Sequence, residues 1–403
     1  MKLIYKCPYC NKSQDTDSQE YLPSLSKYLI KSKCGHSYFV DKVTAESEDY
    51  KSVNQQLCCY PFQIEGIKKA IDTNFNILFA DAMGLGKTIQ GLVSLRNAGK
   101  KLLPSVIVVK TNTIPQWMRE AWVWFDFQPT AIYPIIGSKS LIPPSFPLYL
   151  ISMDTLGRNG TWERLAAIHP KSIIIDECHS FKNPSAARTK ALINLIKTAE
   201  IEHKILMSGT PIKNRANEFF TALNLLAPNR FPSLHNFQRT WLTANEKNVY
   251  TRVKSWRLDE FKALISQWVI RREKYEVLTD LPPLAENYRW ESIESDILKE
   301  NYNNEVDKFD LALSMGQATD SLSLLGWLTK LRRITAEAKI PYAADYIEDF
   351  LESTENDKIA IGVHHHTVRD GMKMALEARG IHPLTYSGQD TPFAKDRILQ
   401  RFE

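Results

Sequence analysis

The sequence predicts an α/β fold built on a doubly wound parallel sheet, and three observations predict it. Short continuous apolar runs recur along the chain: "NILFA", "SVIVV", "AIYPII", "LYLIS", "SIIID" and "KILMS". Runs of this length without alternation suit strands covered on both faces, as in a parallel sheet flanked by helices. Helical patterns such as "SAARTKALINLIKTAE" stand between some of them, and strands alternating with helices make βαβ units. Polar, acidic or glycine-bearing residues follow several runs, at the carboxyl ends where ligands bind in such sheets.

A chain of 403 residues is too long for one ordinary core, so two or three domains are expected. Hydrophobic residues at 43% and charged residues at 24% are those of a soluble globular protein. No apolar run approaches a membrane span and "MKLIYKCPYC" has no signal-peptide core, so the expected setting is cytoplasmic or nuclear, with no membrane partner. A formal charge of +5 leaves the question of an anionic partner to the motifs.

Taken in order, residues 1–45 open with a "CPYC" knuckle, Cys7 and Cys10, and continue to "KCGHSY", with Cys34 and His36. Two close pairs of soft ligands fit a small, structural, zinc-ribbon-like site, against the alternative of a leader with incidental cysteines. Cys58, Cys59 and Cys178 read as small semi-buried side chains. Residues 46–56 are polar and read as a linker. Residues 57–212 carry the alternating pattern, starting with a helix that sets Ile64, Ile67 and Ile71 on one face. Residues 213–280 become mainly helical and rich in Trp and Arg, and the prolines of "TDLPPLAEN" mark a boundary. Residues 281–340 form a linker and a helical insertion. Residues 341–403 begin a second α/β unit, with strands expected at "KIAIGV" and "IHPLTYSG".

The chemistry starts at "DAMGLGKT", between a predicted strand and a predicted helix. Asp81, Met83, Gly84, Leu85, Gly86, Lys87 and Thr88 are the candidate nucleotide-binding set. The glycines let backbone N–H groups turn onto a polyphosphate, and the helix N-terminus adds its positive dipole end. Lys87 would reach the β- and γ-phosphates of ATP, and the Thr88 hydroxyl would ligate magnesium. Asp81 stands where the usual pattern has a glycine. At the end of "SIIID", Asp176 is the candidate second magnesium carboxylate and Glu177 the group that polarises the attacking water. His179 would couple this site to its neighbours or only support the loop. In "LMSGTPIKN", Ser208 and Thr210 would sense the γ-phosphate or only end a strand. His364 to His366 follow a predicted strand, where a structural role is expected over a metal site. Trp117, Trp122 and Trp124, at helical spacing, are expected to pack rather than stack on bases.

In order, "YPFQIEGI", "DAMGLGKTIQ", "VIVVKTNTIPQWMREAWVWF", "IIIDECHSFKN", "LMSGTPIKN" and "VIRREKYEVLTDLPP" resemble the Swi/Snf-type branch of superfamily II helicases. "LRRITAEAKIPYAADYIEDFLES" and "HPLTYSGQDTPFAKDRILQRF" resemble its annealing-helicase (HepA-related) subgroup, and the likeness runs from residue 57 to the end. It implies a RecA-like first lobe with helical insertions and a partial second RecA-like lobe. It also implies a DNA-dependent ATPase that translocates on, remodels or anneals duplex or branched DNA, acting as a monomer. By position it makes Gln63 the adenine reader and Lys87, Asp176 and Glu177 the catalytic set. Lys110, Thr111, Asn112 and Ser152 become backbone contacts to DNA, which position without reading sequence.

The family's second lobe brings arginines to the γ-phosphate, and Arg397 and Arg401 do not match those positions. The expectation is a truncated chain that binds ATP better than it hydrolyses it. The alternative is a non-catalytic ATP- and DNA-binding module on the same scaffold. An RNA helicase is disfavoured by the insertions.

Overall fold

The computed structural model describes residues 4–6, 13–22, 27–32, 37–41 and 59–402, except 126–131, 159, 213–214, 246–248, 283–285, 316–320 and 354–357. The chain divides between Leu281 and Pro282 into two compact units, with Thr391–Phe393 grouped with the first.

The amino-terminal strands β1 (Ile4–Lys6), β2 (Ser13–Leu22), β3 (Lys27–Ser32) and β4 (Ser37–Asp41) form an antiparallel meander. Cys7, Cys10, Cys34 and His36, the expected zinc ligands, and Cys58 lie outside the described residues. Among the described residues no group of three or more metal-ligating side chains comes together.

The centre of the first unit is a seven-stranded sheet. Its strands are β5 (Asn76–Phe79), β6 (Ser105–Val109), β7 (Ile132–Ile135), β8 (Leu148–Ser152), β9 (Ser172–Ile175), β10 (His203–Met207) and β13 (Val269–Ile270). Their order is β13-β5-β10-β9-β6-β8-β7 and every neighbouring pair is parallel. The apolar runs are continuous because both faces are covered. Ile173 and Ile175 face one core with Tyr149, Leu192 and Leu223, while Ile174 faces the other with Leu92, Ile107 and Trp117. The sheet is flanked by α1 (Pro61–Asp72), α2 (Lys87–Ala98), α3 (Ile114–Phe125), α4 (Met153–Leu156), α5 (Thr161–Ala166), α6 (Ala187–Thr198) and α7 (Phe220–Leu226). The α/β class with a parallel sheet covered on both faces, predicted for this part of the chain, is the class observed.

Among the described residues of 213–280, short strands not expected from the sequence stand between the helices. Between α8 (Leu234–Trp241) and α9 (Leu258–Ile265) stands an antiparallel hairpin, β11 (Leu242–Ala244) and β12 (Tyr250–Val253). The chain then returns to the main sheet as β13, a strand of two residues, too short to show a period of its own. A single turn, α10 (Lys274–Val277), follows.

The second unit contains α11 (Asp296–Ser314), α12 (Ser321–Ala338), α13 (Ile340–Ser353), α14 (His366–Glu377) and, from Ala394 on, α15 (Pro392–Phe402). Ala344, Ile347, Met372 and Leu376 form its small core between α13 and α14. The strands expected at 358–363 and 381–388 are not observed as strands among the described residues. Gly362 weakens the first segment and Pro383 removes a ladder donor from the second. Their apolar side chains, including Ile361, Val363, Leu384 and Tyr386, line an open groove with α15 instead. His365 occupies the N-cap position of α14, with the His364 ring edge-on to it at 4.9 Å. Arg397 and Arg401 lie exposed on α15.

Candidate active site

Three neighbouring strands deliver the site. β5 ends in the glycine loop, β10 in Ser208–Thr210 and β9 in Asp176–Glu177, all at the carboxyl edge of the sheet with β10 in the middle. The ladders run on past the strand ends. Ala80 and Ala82 donate to the carbonyls of Ile270 and Arg272, Ser208 donates to Phe79 and Asp176 donates to Val108. The loops therefore start from fixed backbone.

In the glycine loop, Gly86 has φ +70° immediately before α2, and a Cβ there would lie 2.3 Å from Gln63 Nε2. Glycine permits both the backbone and the close approach. Gln63 is buried. Its Nε2 donates to Leu85 O at 3.1 Å and its Oε1 accepts from Tyr60 N at 3.0 Å, which ties α1 to the loop. Lys87 Nζ donates to the carbonyls of Asp81 and Ala82, at 2.8 and 3.0 Å. Burial pushes the Lys87 amine down, opposed by the negative charges of Asp81, Glu177 and Asp176. Lysine and acid pair thus share one electrostatic environment. Met83 is exposed and Thr88 is half-buried at the start of α2.

Asp81 is fully buried and its carboxylate faces inward. It accepts from Gln90 Nε2 at 3.0 Å and from two guanidinium nitrogens of Arg272, at 3.0 and 2.6 Å. Arg272 also donates to Phe62 O and Gln90 Oε1, its guanidinium 5.3 Å from the Phe62 ring centre. An aspartate replaces a loop glycine because it anchors this buried pair.

On the acid side, Asp176 Oδ1 accepts from Glu177 N at 2.9 Å and Oδ2 from Trp117 Nε1 at 3.1 Å. Burial pushes the Asp176 carboxyl up, against the pull of the Trp117 hydrogen bond. Glu177 has left-handed backbone, φ 46° and ψ 50°. His179 Nδ1 stands 3.0 Å from both Ser208 Oγ and Glu177 Oε2, and Ser208 Oγ accepts from Thr210 N at 3.2 Å. The acid strand and the middle strand are thereby joined through one imidazole. Glu177 Oε2 is buried, with His179 Nδ1 as its polar neighbour.

These residues fit a magnesium nucleotide. A Cβ at Gly209 would lie 2.9 Å from Met83 Cγ and 3.7 Å from Lys87 Nζ, so the turn after β10 closes one side of the glycine loop. The hard oxygen donors Thr88 and Asp176 suit magnesium. Lys110, Thr111 and Asn112 are exposed at the carboxyl end of β6. Ser152 is buried and caps α4, accepting from Thr155 N at 3.1 Å. Trp117 is buried, and Trp124 packs against the same core. Trp117 and Arg272 are site residues that the motifs do not reveal. Their partners lie 59 and 191 residues away in sequence.

Residues 25–340 match the SNF2-related domain. The chain belongs to the SNF2-related family. The match begins earlier than the likeness read from the motifs and stops at 340. This SNF2-related chain is 28% identical, over 89% of its length, to a Xenopus laevis SWI/SNF-related matrix-associated actin-dependent regulator of chromatin subfamily A-like protein 1. It is 28% identical over 76% of its length to the DNA annealing helicase and endonuclease ZRANB3 of Bos taurus. It spans 37% and 29% of those two relatives, about a third of their length. Its fold is similar to the Sulfolobus solfataricus SWI2/SNF2 ATPase core solved with dsDNA. The TM-score is 0.50 at 24% identity, covering 86% of this chain and 75% of that one.

Proposed function

We propose that this SNF2-related chain carries the ATP-hydrolysing site of a motor that moves along duplex or branched DNA as a monomer. One observation carries the reading. The glycine loop and the acid pair leave the same edge of one sheet, a single strand apart, with Lys87 under the charge of Asp176 and Glu177. The relative named as an annealing helicase supports DNA reannealing as the outcome of movement.

Magnesium, when bound, offsets the charge of the β- and γ-phosphates, and Thr88 and Asp176 are the residues that would hold it. Lys87 exchanges its two carbonyl partners for phosphate oxygens. Glu177 Oε2, buried beside His179 Nδ1, takes the proton of the attacking water. His179 carries the state of Glu177 to Ser208 and so to Thr210. Gln63, the expected adenine reader, has its amide engaged by Tyr60 N and Leu85 O, so its role here is to tie α1 to the loop. Lys110, Thr111 and Asn112 contact the DNA backbone; Ser152, expected to do the same, is buried with its hydroxyl engaged in the α4 cap and serves the neighbouring turn instead.

The test is nucleotide binding and hydrolysis with and without duplex, single-stranded and forked DNA. Lys87→Ala should lose nucleotide binding at least tenfold. Glu177→Gln should keep binding and lose hydrolysis. Nucleotide binding that ignores Lys87→Ala would sink the reading, and hydrolysis-free binding of both ligands by the parent chain would favour the module.

The amino-terminal meander is read as a zinc ribbon. In this meander β1 and β3 end at the same end of the sheet, and in sequence Cys7 and Cys10 follow β1 while Cys34 and His36 follow β3. About one zinc per chain, lost in Cys7→Ser, is the expected result of metal analysis.

A further inference from the structure

We propose that Trp117 is a positioning residue for the magnesium-holding carboxylate, its indole N–H fixing the plane of Asp176. The inference rests on the nucleotide reading of the site and names a residue that the motifs assign only to packing. Trp117 is 2% exposed and its ring sits in the core under the sheet, with Ile107, Ile174 and Ala121. A buried indole N–H left without an acceptor costs about 1–3 kcal/mol, so a core tryptophan needs a polar partner or another residue type. Here the partner is Asp176 Oδ2 at 3.1 Å.

A carboxylate offers about four lone-pair positions. Glu177 N takes one on Oδ1 and Trp117 Nε1 one on Oδ2, so both oxygens are pinned and the group cannot turn without breaking a bond. The remaining lone pairs are left for a metal or its water. Donors behind a metal ligand set its orientation, and losing one typically costs 10- to 100-fold in metal affinity. The ring is held by the core and the N–H is held by the ring. Packing is therefore the means by which Trp117 positions the acid.

The experiment reads the magnesium dependence of binding of a fluorescent ATP analogue to the whole chain. Trp117→Phe keeps an aromatic ring and removes the donor. The magnesium concentration for half-saturation should rise about tenfold or more, with metal-free nucleotide binding unchanged. Trp124→Phe, on the same helix and in the same core, is the packing control and should leave it unmoved. Should Trp117→Phe fail to fold, benzothienylalanine at 117 supplies the same bicyclic shape without the N–H and should give the same shift. Magnesium dependence equal to the parent in either Trp117 variant overturns the proposal. A parent chain that binds the analogue without any magnesium dependence overturns the role of Trp117, and one that binds no analogue overturns the nucleotide reading itself.

Discussion

Glu177 adopts φ 46° and ψ 50°, a region where a Cβ costs about 1–2 kcal/mol. The conformation persists because Glu177 N is held by Asp176 and its side chain lies against His179. Glu177→Gly should therefore be more stable than Glu177→Ala by about 1 kcal/mol, the reverse of the usual order, in urea unfolding. Neighbouring Cys178 is buried. Burial, followed by the charges of Glu177 and Asp176, pushes its thiol far above the usual range. The thiolate is the reactive form, so alkylation of Cys178 in the native chain should not increase between pH 7 and 9. Peptide mapping after iodoacetamide checks this, with the urea-unfolded chain reacting faster as pH rises.

Among elements, β13 with its following arginine has the largest consequence for its size. Two residues pair with β5, and Arg272 then closes on Asp81, Gln90 and the Phe62 carbonyl. Arg272→Met should cost about 3–5 kcal/mol, because it strands a buried carboxylate. Adding Asp81→Asn should recover much of that loss, measured as a double-mutant cycle in urea. Neither β13 nor this pair was legible in the sequence. "VI" carries no period, and an arginine that turns inward looks like one that faces water. The strands β5 to β10 were legible because each is an apolar run ending in a polar or glycine-bearing turn. The hairpin β11–β12 was not, since "LTA" and "YTRV" are too short and too polar to stand out. Lys87 and Asp176 could be read because their own neighbours announce them. Trp117 could not, because its meaning depends on an acid reached only through the fold.

For the whole molecule, the proposed DNA contacts are backbone contacts, which neutralise phosphates without reading bases. Duplexes of unrelated sequence should bind alike, with affinity falling as salt rises. Lys110→Ala should weaken binding uniformly and reduce the slope of log K against log salt by about 1. Helix α3 begins directly after the turn that presents Lys110 to Asn112, with Thr113 N held by Lys110 O at 3.0 Å, and it carries Trp117 onto Asp176. A duplex docked on that turn would therefore lean on the same helix as Asp176, the proposed metal carboxylate. Thermodynamic linkage then demands symmetry: whatever factor the duplex adds to the affinity for magnesium nucleotide, magnesium nucleotide must return to the affinity for the duplex.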